Sequence, residues 1–483
     1  MINFVFRLDS SSEIGYGHLM RCMTLANKLI YIGFKVDFIM SYDSQNSLRF
    51  INNENFNIIF LPQFITETED AHKCLGIIEN YDLVFLVVDN YSLSIKWECE
   101  VFENVKKLIV IDDLANRNHE CNVLIDSSYD RKGYEYKKLV PDSCQLILGE
   151  RYCLLRPEFE NLRDSAYKRR VDTAFINRLL ISFGATDSEK YTLEVLNFLG
   201  DIGFSGEIDI LISTGCTWLD ELNEIAEVMT NVTLHINANN VAELMLSADL
   251  AIGALGTSTW ERACLGLPCL CVITADNQIY NAEKLNSIKA IFLSDMNQIF
   301  HDLRKILLEG SSLCEWHRVS DESFKLVDGK GVSRVTHEIL KSEFNLVEFR
   351  LSDTDDLYAW QSQLGARQHS RDKTIPLYSE HVDWVVASLS NPVRRMWIIK
   401  INDISAGYIR LDVISEEEEE VSILISDKFR GLGVAKFAIS SSVSERIGRH
   451  VVAHVKPDNH ASINLFKSCG FKRIDHEHFL WSR

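Results

Sequence analysis

Two successive series of short apolar runs, each run followed by an amphipathic stretch, constrain the fold of this chain more than any other feature. Such apolar runs are typical of buried strands, and stretches between them, such as Leu19–Ile30 and Glu189–Leu199, have helical spacing. The first series predicts strands at Ile2–Phe6, Lys35–Ile39, Leu83–Val88, Lys107–Ile111 and Val123–Ile125. The second predicts strands at Arg178–Phe183, Glu207–Ile212, Val232–His235, Leu250–Ile252 and Cys269–Ile273. Because strand and helix alternate, we expect two Rossmann-like α/β units with parallel sheets, facing each other across a ligand-binding cleft.

A third region begins where this pattern changes, near residues 341–345. Strands are predicted there at Val347–Arg350, Met396–Lys400, Ile404–Leu411 and Val421–Ser426, and a glycine-rich turn, the helix Val434–Ile447 and the strand Val451–Val455 follow. Strands that succeed one another without a crossover helix indicate an antiparallel α+β domain. The acidic run Glu416–Glu420 falls between two of these strands, and its like charges predict a solvated hairpin tip. Since 483 residues are too many for one core, we predict three domains, 1–165, 166–342 and 343–483.

The charge balance excludes some classes of partner. With 50 Lys and Arg against 69 Asp and Glu, the net charge of −19 repels polyanions, so we expect no nucleic-acid binding. A small anionic ligand remains compatible, because N–H groups at a helix start bind phosphate without net positive charge. The 12 cysteines are scattered, which indicates buried thiols in a reducing compartment and no metal site. No apolar stretch reaches the roughly 20 residues of a membrane span, so we expect a cytoplasmic protein.

The first candidate site is the turn that leads into the first predicted helix, Gly15-Tyr16-Gly17-His18-Leu19-Met20-Arg21. Glycines at this position let the backbone approach a ligand, and N–H groups of the first helical turn are then available for an anion. Histidine at the mouth of a cleft suits a proton acceptor from water, with Arg21 and Asp9 as partners. The alternative is that His18 caps the helix and the glycines only form a turn.

The second candidate site follows the strand Leu250–Ile252, where a loop of small residues opens a helix. N–H and hydroxyl groups for phosphate oxygens are offered there by Gly256, Thr257, Ser258 and Thr259. Glu261 would repel phosphate, but its carboxylate suits two hydrogen bonds from a ribose diol, which points to a sugar nucleotide. The alternative for Glu261 is a first-turn acid that complements the helix dipole. Amide side chains for substrate hydroxyl and N-acetyl groups follow the next strand, at Asn277, Gln278 and Asn281.

These motifs, in their order along the chain, resemble the UDP-sugar hydrolases of the pseudaminic-acid pathway, the PseG family, over residues 1–340. Further motifs that carry the resemblance are Asp89–Tyr91, Ile111–Arg117, Leu154–Phe159, Leu265–Pro268 and Asp328–Gly331. The resemblance implies a glycosyltransferase-B (GT-B) fold of the MurG type. It also implies hydrolysis of UDP-2,4-diacetamido-2,4,6-trideoxy-β-L-altropyranose to the free sugar and UDP.

The same resemblance implies roles for individual residues. His18 matches the general base of the family, Glu261 its nucleotide-binding acid and Asn277 its asparagine at the substrate. His18 would deprotonate a water molecule that attacks the anomeric carbon, while the helix start at Gly256–Thr259 would stabilise the departing UDP. No metal ion is required by this arrangement. The family has a second small residue where this chain has Leu255, so access to the phosphates differs locally.

The third candidate site is the glycine-rich turn Arg430-x-x-Gly433-x-Ala435, whose N–H groups suit a pyrophosphate; a plain turn is the alternative. Together with Asn459–Phe471, a helix ended by a glycine, this turn resembles the GNAT acetyltransferase family over residues 346–483. The resemblance implies acetyl-CoA as co-substrate, with its pantetheine between splayed strands. The residues implied to bind CoA are Arg430, Gly431, Gly433, Ala435 and Asn459.

One residue of this third region departs from the GNAT pattern. The tyrosine that protonates the leaving thiolate in that family is replaced by Phe466, which leaves the general acid unassigned. His369, His381 and Trp384 lie where a substrate could dock, but we expect structural roles for all three.

The two resemblances fit one reaction sequence, because the hydrolase substrate carries an N-acetyl group on C4 that an acetyltransferase installs. We therefore expect a bifunctional enzyme that acetylates a UDP-4-amino-4,6-dideoxy-N-acetyl-altrosamine with acetyl-CoA and then hydrolyses the UDP linkage. One alternative is a GT-B glycosyltransferase whose acetyltransferase domain acts on a different amino sugar. Another, hinted at only by Phe466, is a sugar-nucleotide sensor with a vestigial acetyltransferase.

Overall fold

The computed structural model describes residues 2–11, 15–45, 51, 56–63, 65–309, 312–444 and 449–482. The chain separates into two compact units. The larger unit consists of Ile2–Ile30 and Phe34–Val335, and the smaller one contains Tyr31–Gly33 and the chain from Thr336 onward. The domain borders after residues 165 and 342 stay predictions. Within the described residues, no helix has both the length and the apolar character that crossing a membrane requires.

A seven-stranded parallel sheet forms the first half of the larger unit. Its strands are β1 (Ile2–Leu8), β2 (Lys35–Ser41), β3 (Asn57–Leu61), β4 (Leu83–Asp89), β5 (Lys107–Ile111), β6 (Val123–Asp126) and β7 (Gln145–Leu148). Their spatial order is β3-β2-β1-β4-β5-β6-β7. Every residue of β1 is buried, as expected for a central strand covered on both faces. Because the strand order reverses between β1 and β4, the carboxyl ends of these two strands border the crevice where such sheets bind ligands.

Helices cover this sheet, and local sequence explains where several of them begin. They are α1 (Gly17–Ile32), α2 (Glu67–Ile78), α3 (Ile95–Phe102), α4 (Gly133–Tyr136) and α5 (Pro157–Asp172). Thr66 and Glu69 form a capping box at the start of α2. Pro157 takes the first position of α5, where a missing N–H group costs nothing. The predicted helix at Leu19–Ile30 is confirmed and starts earlier, at Gly17.

A second parallel sheet, of six strands, forms the other half of the larger unit. The strands are β8 (Arg178–Ser182), β9 (Glu207–Ile212), β10 (Val232–Ile236), β11 (Leu250–Ala254), β12 (Cys269–Val272) and β13 (Phe292–Ser294), in the order β10-β9-β8-β11-β12-β13. The helices are α6 (Tyr191–Asp201), α7 (Leu219–Val228), α8 (Val241–Ser247), α9 (Ser258–Cys264), α10 (Ile279–Ser287), α11 (Ile299–Leu308), α12 (Ser312–Leu326) and α13 (Gly331–Leu340). Two Rossmann-like sheets are therefore confirmed, and the second has its own order reversal, between β8 and β11.

Three strands of these sheets are missing from the sequence prediction. They are β3, β7 and β13, and each lies at the edge of its sheet. β3 and β7 are mostly half-buried and contain the short apolar runs Ile58–Leu61 and Leu146–Leu148, and β13 has only three residues. Apolar runs this short do not distinguish a strand from a buried helix segment in sequence.

The smaller unit is built on a seven-stranded, mostly antiparallel sheet. Its strands are β14 (Phe344–Glu348), β15 (Arg394–Ile401), β16 (Ile404–Val413), β17 (Glu418–Ile425), β18 (His450–His454), β19 (Lys472–Arg473) and β20 (His478–Trp481), in the order β14-β15-β16-β17-β18-β20-β19. Its helices are α14 (Thr354–Gln361), α15 (Tyr378–Leu389), α16 (Val434–Ser444) and α17 (His460–Ser468). The predicted α+β architecture is confirmed. The predicted extension of α16 to Ile447 lies outside the described residues.

The acidic run Glu416–Glu420 is not a solvated hairpin tip throughout, as the sequence predicts. β17 already begins at Glu418, and Glu419 is fully buried. Its Oε1 atom accepts hydrogen bonds from Arg395 Nη2 at 2.6 Å and from Arg449 Nη1 at 2.8 Å. Two guanidinium groups thus offset the cost of burying this carboxylate, and alternation along the strand points neighbouring glutamates to opposite faces.

Candidate functional site

The first predicted site lies at the carboxyl edge of the first sheet. α1 begins at Gly17, directly beside the end of β4, and His18 is only 8% exposed. His18 Nδ1 lies 2.5 Å from Oδ1 of Asp89, the last residue of β4. Because β1 and β4 are neighbours, the turn after β1 meets the end of β4 at the crevice. The structure therefore joins His18 to a carboxylate from a distant part of the chain.

Arg21 completes this arrangement one turn further along α1. Its Nε and Nη2 atoms each donate to a carboxylate oxygen of Asp89 at 2.6 Å. Burial alone would raise the pKa of Asp89, but the charge of Arg21 and the contact with His18 outweigh it and hold this pKa well below its usual range. Asp89 is therefore ionised. The predicted partner Asp9 instead binds Arg7 and Asn90.

Tyr91 and Asp113 also contact the cluster that His18, Asp89 and Arg21 form. The Tyr91 hydroxyl donates to Asp113 Oδ1 at 2.5 Å, and Arg21 Nη1 donates to Asp113 Oδ2 at 3.0 Å. The Tyr91 ring meets His18 edge to face, with ring centroids 4.7 Å apart. Burial, together with the Asp113 charge, raises the pKa of Tyr91, so its hydroxyl keeps its proton.

Sequence reasoning assigned no role to Asp89, Tyr91 or Asp113, although all three fall in motifs that carry the hydrolase resemblance. The sequence signal that could have identified these residues is their position relative to the predicted strands. Asp89 ends β4, and Asp113 follows shortly after β5 ends at Ile111. Polar residues at the carboxyl ends of adjacent parallel strands meet at one edge of the sheet.

The second predicted site surrounds the start of α9. The N–H groups of Gly256, Thr257 and Ser258 have no hydrogen-bond acceptor among the residues that the structure describes. Thr259 differs, because its N–H donates to Gly256 O at 3.0 Å and its hydroxyl oxygen accepts from Arg262 at 3.0 Å. The anion-binding groups that remain are therefore Gly256 to Ser258.

The two helix starts lie against each other within the larger unit. A Cβ atom added to Gly17 would come within 3.2 Å of Thr257 Cγ2, so a larger residue would crowd this contact. The helix start that carries His18 therefore lies against the Thr257 side chain. This is the geometry that a proton acceptor and a leaving-group site on one substrate require.

Glu261 pairs with Arg156, whose Nη2 atom donates to Glu261 Oε1 at 3.2 Å. Burial raises the pKa of Glu261, and the Arg156 charge opposes this shift only in part. Arg156 belongs to the Leu154–Phe159 motif, so this pair joins two of the motifs that carry the resemblance. Glu261 therefore does more than complement a helix dipole.

The three predicted amide residues have different surroundings. Asn277 Nδ2 lies 3.4 Å from the Tyr91 hydroxyl oxygen, which places it beside the His18 group. Asn281 Oδ1 accepts from the Tyr129 N–H at 2.9 Å, and Gln278 Oε1 accepts from the Thr274 N–H at 2.9 Å. The structure thus brings Asn277 to the first site, joins Asn281 to the first half of the larger unit and gives Gln278 a local bond. No group of three or more His, Cys, Asp or Glu side chains that could hold a metal ion occurs in the described ranges.

The third predicted site is the turn before α16 in the smaller unit. Gly431 and Gly433 have φ angles of +78° and +70°, a region that glycine adopts without strain. A Cβ atom on Gly431 would meet nothing within 4 Å, so the turn is open there. Arg430 is exposed and pairs with Asp427 at 2.6 Å. Ala435 lies in the first turn of α16, and this geometry suits an approaching pyrophosphate.

The two strands next to this turn separate, as the acetyltransferase resemblance implies. β17 and β18 pair in parallel only from Glu418 opposite His450 to Glu420 opposite Val452. β17 continues to Ile425, where β16 is its only paired strand within the described part of the chain. The edge of β17 beyond Glu420 therefore has N–H and C=O groups directed into the gap, where an extended pantetheine chain could bond.

The remaining predicted residues of this unit have local roles in the structure. Asn459 caps α17, with Oδ1 accepting from the Ser462 N–H at 3.1 Å. Phe466 is buried against Phe471, with ring centroids 5.0 Å apart. Burial lowers the pKa of His381, which stacks on Trp384 within the core. His369 Nδ1 lies 3.4 Å from Asp458.

Comparison with known proteins agrees with these two units. Residues 343–472 match the Acetyltransferase (GNAT) domain family. The UDP-2,4-diacetamido-2,4,6-trideoxy-beta-L-altropyranose hydrolase of Campylobacter jejuni is 26% identical over 242 residues, which are 50% of this chain and 80% of the relative. The spore coat polysaccharide biosynthesis protein SpsG of Bacillus subtilis is 23% identical over 342 residues, 68% of this chain and 95% of the relative.

Two further matches concern the full length and the fold. An uncharacterized protein of Methanocaldococcus jannaschii is 23% identical over 495 aligned residues, 96% of each chain. MurG of Acinetobacter baumannii superimposes with a TM-score of 0.51 at 14% identity, over 70% of this chain and 99% of its own. The chain thus joins a region of GT-B fold that resembles PseG and SpsG to a C-terminal GNAT acetyltransferase domain.

Proposed function

We propose that this chain is a bifunctional enzyme of nonulosonic-acid precursor synthesis. Its acetyltransferase domain transfers an acetyl group from acetyl-CoA to the 4-amine of UDP-4-amino-4,6-dideoxy-N-acetyl-altrosamine. Its larger unit then hydrolyses the product, UDP-2,4-diacetamido-2,4,6-trideoxy-altropyranose, to the free sugar and UDP. The observation that carries the proposal is His18, held by Asp89 at a helix start that lies against the Thr257 side chain.

His18 acts as the general base of the hydrolysis. Its Nδ1 atom is bound to the ionised Asp89, so Nε2 is the atom that accepts a proton from water. Arg21 balances the Asp89 charge, and the carboxylate therefore acts on His18 chiefly as a hydrogen-bond acceptor that orients the ring. The deprotonated water forms a bond to the anomeric carbon as the bond to the UDP oxygen breaks.

The second half of the larger unit binds the nucleotide. The N–H groups of Gly256, Thr257 and Ser258 receive the diphosphate, whose charge increases as it leaves. Glu261, held by Arg156, binds the ribose hydroxyl groups. Asn277 and Tyr91 contact the sugar beside His18. The likeness to the Campylobacter jejuni hydrolase supports this choice of substrate.

In the smaller unit, acetyl-CoA binds at the turn Arg430–Gly433 and along the free edge of β17. The similarity of residues 343–472 to GNAT domains supports acetyl transfer from this co-substrate. Acetylation precedes hydrolysis in the proposed sequence, because the Campylobacter jejuni hydrolase that the larger unit resembles is named for a substrate with two acetamido groups. The 4-amino sugar nucleotide is thus a poor substrate for His18 until it is acetylated.

The test is to incubate the full chain with UDP-4-amino-4,6-dideoxy-N-acetyl-altrosamine, with and without acetyl-CoA, and to measure UDP by chromatography. We expect UDP to appear only when acetyl-CoA is present, after the acetylated nucleotide. Equal rates of UDP release with and without acetyl-CoA would refute the proposed order. Chemically acetylated substrate is the control and should release UDP without acetyl-CoA.

A second candidate function is glycosyl transfer, which the MurG-like fold of the larger unit favours. A glycosyltransferase would pass the sugar to an acceptor hydroxyl group and would release UDP slowly in its absence. If the purified chain releases UDP at full rate from the sugar nucleotide without any added acceptor, this alternative is excluded. UDP release that depends on an added acceptor would support it against hydrolysis.

A further inference from the structure

The acetyl transfer proposed above needs a proton for the sulfur atom of CoA. When the C–S bond of the thioester breaks, the electron pair remains on sulfur, and a nearby acid makes this departure easier. Phe466 occupies the position where the acetyltransferase resemblance expects a tyrosine. Its ring is buried against Phe471 and carries no exchangeable proton. Another group of the smaller unit must therefore supply the proton.

Tyr408, in the middle of β16, is a buried phenol without an assigned partner. It is 6% exposed and belongs to a core cluster that includes Leu357 of α14 and Val385 of α15. Among the described residues, none forms a hydrogen bond with its hydroxyl group. The side chain is mostly buried, but its hydroxyl oxygen is not one of the fully enclosed unpaired atoms of the described residues, so it reaches open space. A ligand in that space can accept a hydrogen bond from it.

The position of Tyr408 fits this role, because it lies one strand away from the gap that the acetyltransferase resemblance assigns to pantetheine. In the sheet, Tyr408 is directly opposite Leu424 of β17. Leu424 belongs to the part of β17 that has separated from β18, since their pairing ends at Glu420. Leu424 also packs on the same core cluster as Tyr408, so both side chains are on the sheet face covered by α14 and α15.

The surroundings keep the phenol protonated. Burial raises the pKa of Tyr408, and the guanidinium groups of Arg410, Arg394 and Arg367 oppose this shift only in part. A neutral phenol can donate its proton, and the same cations stabilise the phenolate while the proton is on sulfur.

We propose that Tyr408 is the proton donor to the CoA sulfur atom in acetyl transfer, in place of the residue that Phe466 replaces. This rests on the proposed acetyltransferase function. The amine nitrogen forms a bond to the thioester carbonyl carbon, and the C–S bond breaks with its electron pair on sulfur. The Tyr408 proton passes to that sulfur, giving the free thiol of CoA. The proton that the amine nitrogen loses returns to the phenolate through water, so Tyr408 is regenerated.

The first experiment measures acetylation of UDP-4-amino-4,6-dideoxy-N-acetyl-altrosamine by the full chain and its Tyr408→Phe variant. We expect kcat to fall about 10²-fold and the KM for acetyl-CoA to change less than about twofold. The melting temperature should change little, because the hydroxyl group has no hydrogen-bond partner among the described residues to lose. Tyr378→Phe, which removes an exposed hydroxyl group bonded to Asp355, is the matched control and should keep full activity.

A rescue separates acid catalysis from a packing role. Phe466→Tyr returns a phenol to the helical position, and in the Tyr408→Phe background it should recover at least about tenfold in kcat. If Tyr408 had only a packing role, a tyrosine introduced on α17 would not restore kcat in the Tyr408→Phe background. Full activity of Tyr408→Phe, or a loss that lies in KM alone, would overturn the proposal.

A crystal structure of the full chain with CoA gives an answer that does not depend on the sugar. The sulfur atom should lie within hydrogen-bonding reach of Tyr408 Oη, directly or through one water molecule. A sulfur atom farther away would refute the assignment. If the amino sugar nucleotide is not acetylated but the sulfur lies beside Tyr408, the proposed substrate is wrong and the assignment stands. If it is acetylated equally fast by Tyr408→Phe, the proposed function stands and the assignment is wrong.

Discussion

In the larger unit the part of the candidate hydrolase site around His18 consists of side chains, whereas in the smaller unit the candidate CoA site consists mainly of backbone. His18, Asp89 and Asp113 come from three separate elements and are joined through Arg21. The CoA site depends on two glycines with positive φ and on a strand edge that pairs with no further strand of the described residues. The first site should therefore be sensitive to the charge and shape of side chains, and the second to the addition of a single methyl group.

The largest expected effect is on the side-chain site. Asp89→Asn removes the charge that binds Arg21 and weakens the orientation of His18. UDP release should fall by about 10²-fold to 10³-fold, measured as kcat with the acetylated nucleotide, while acetyl transfer continues at its normal rate. The control is Asp82→Asn, an exposed aspartate that precedes the same strand. Unchanged UDP release in Asp89→Asn would show that this carboxylate does not support His18.

The same unit should respond to pH through a second histidine. Burial would lower the pKa of His119, but the carboxylates of Asp112 and Glu98 outweigh it and raise the pKa to about 9. Since the pKa of histidine in an unfolded chain is about 6.5, the stabilisation is complete below pH 6.5 and is lost as pH rises through about 9. Thermal unfolding should show a loss of up to about 3 kcal/mol over this range. His119→Gln should remove this pH dependence, and equal slopes in both proteins would contradict the assignment.

The backbone site should respond to one methyl group. In Gly433→Ala the new Cβ atom would come within 2.6 Å of the His337 ring, at a φ of +70°. We expect a loss of about 2 kcal/mol in the stability of the smaller unit and weaker acetyl-CoA binding by calorimetry, with UDP release unchanged. Gly431→Ala has a similar φ but no close neighbour, so it should lose only about 1 kcal/mol. Equal losses in both variants would mean that the contact with His337 is unimportant.

The smallest expected effect concerns the buried carboxylate of the smaller unit. Glu419→Gln keeps the shape of the side chain but removes the charge that Arg395 and Arg449 bind. Chemical denaturation should show a loss of about 1–2 kcal/mol, whereas Glu416→Gln at the exposed tip should stay within about 0.5 kcal/mol. If the two variants behave alike, Glu419 does not need its charge in the folded protein.

The sequence alone predicts those parts of the fold whose residue pattern lies within one short segment of the chain. Interior strands such as β4 and β5 contain continuous apolar runs, and their predicted positions agree with the structure. The edge strands β3, β7 and β13 are missing from the prediction, because short apolar runs alone are ambiguous signals. The sequence predicts Glu419 in solvent because it lies in a run of like charges. Only the folded structure brings two arginines to it.

The candidate sites divide in the same way. Glycine-rich helix starts are visible in sequence, so His18 and the turn at Gly431 could be proposed directly. Asp89 and Tyr91 join His18 only because the strand order places the end of β4 next to α1. Tyr408 has no motif around it, and its interest arises from its place opposite Leu424, on the part of β17 that has separated from β18. Such relations require tertiary structure.

The central claim is that one chain carries two separate chemical steps in a fixed order. The most direct measurement is a time course by mass spectrometry of His18→Ala with the amino sugar nucleotide and acetyl-CoA. We expect the acetylated UDP-sugar to accumulate in full amount, with about 10³-fold slower release of free sugar than in the wild-type chain. Wild-type rates of sugar release from this variant, or no acetylated nucleotide at all, would contradict the two-step account.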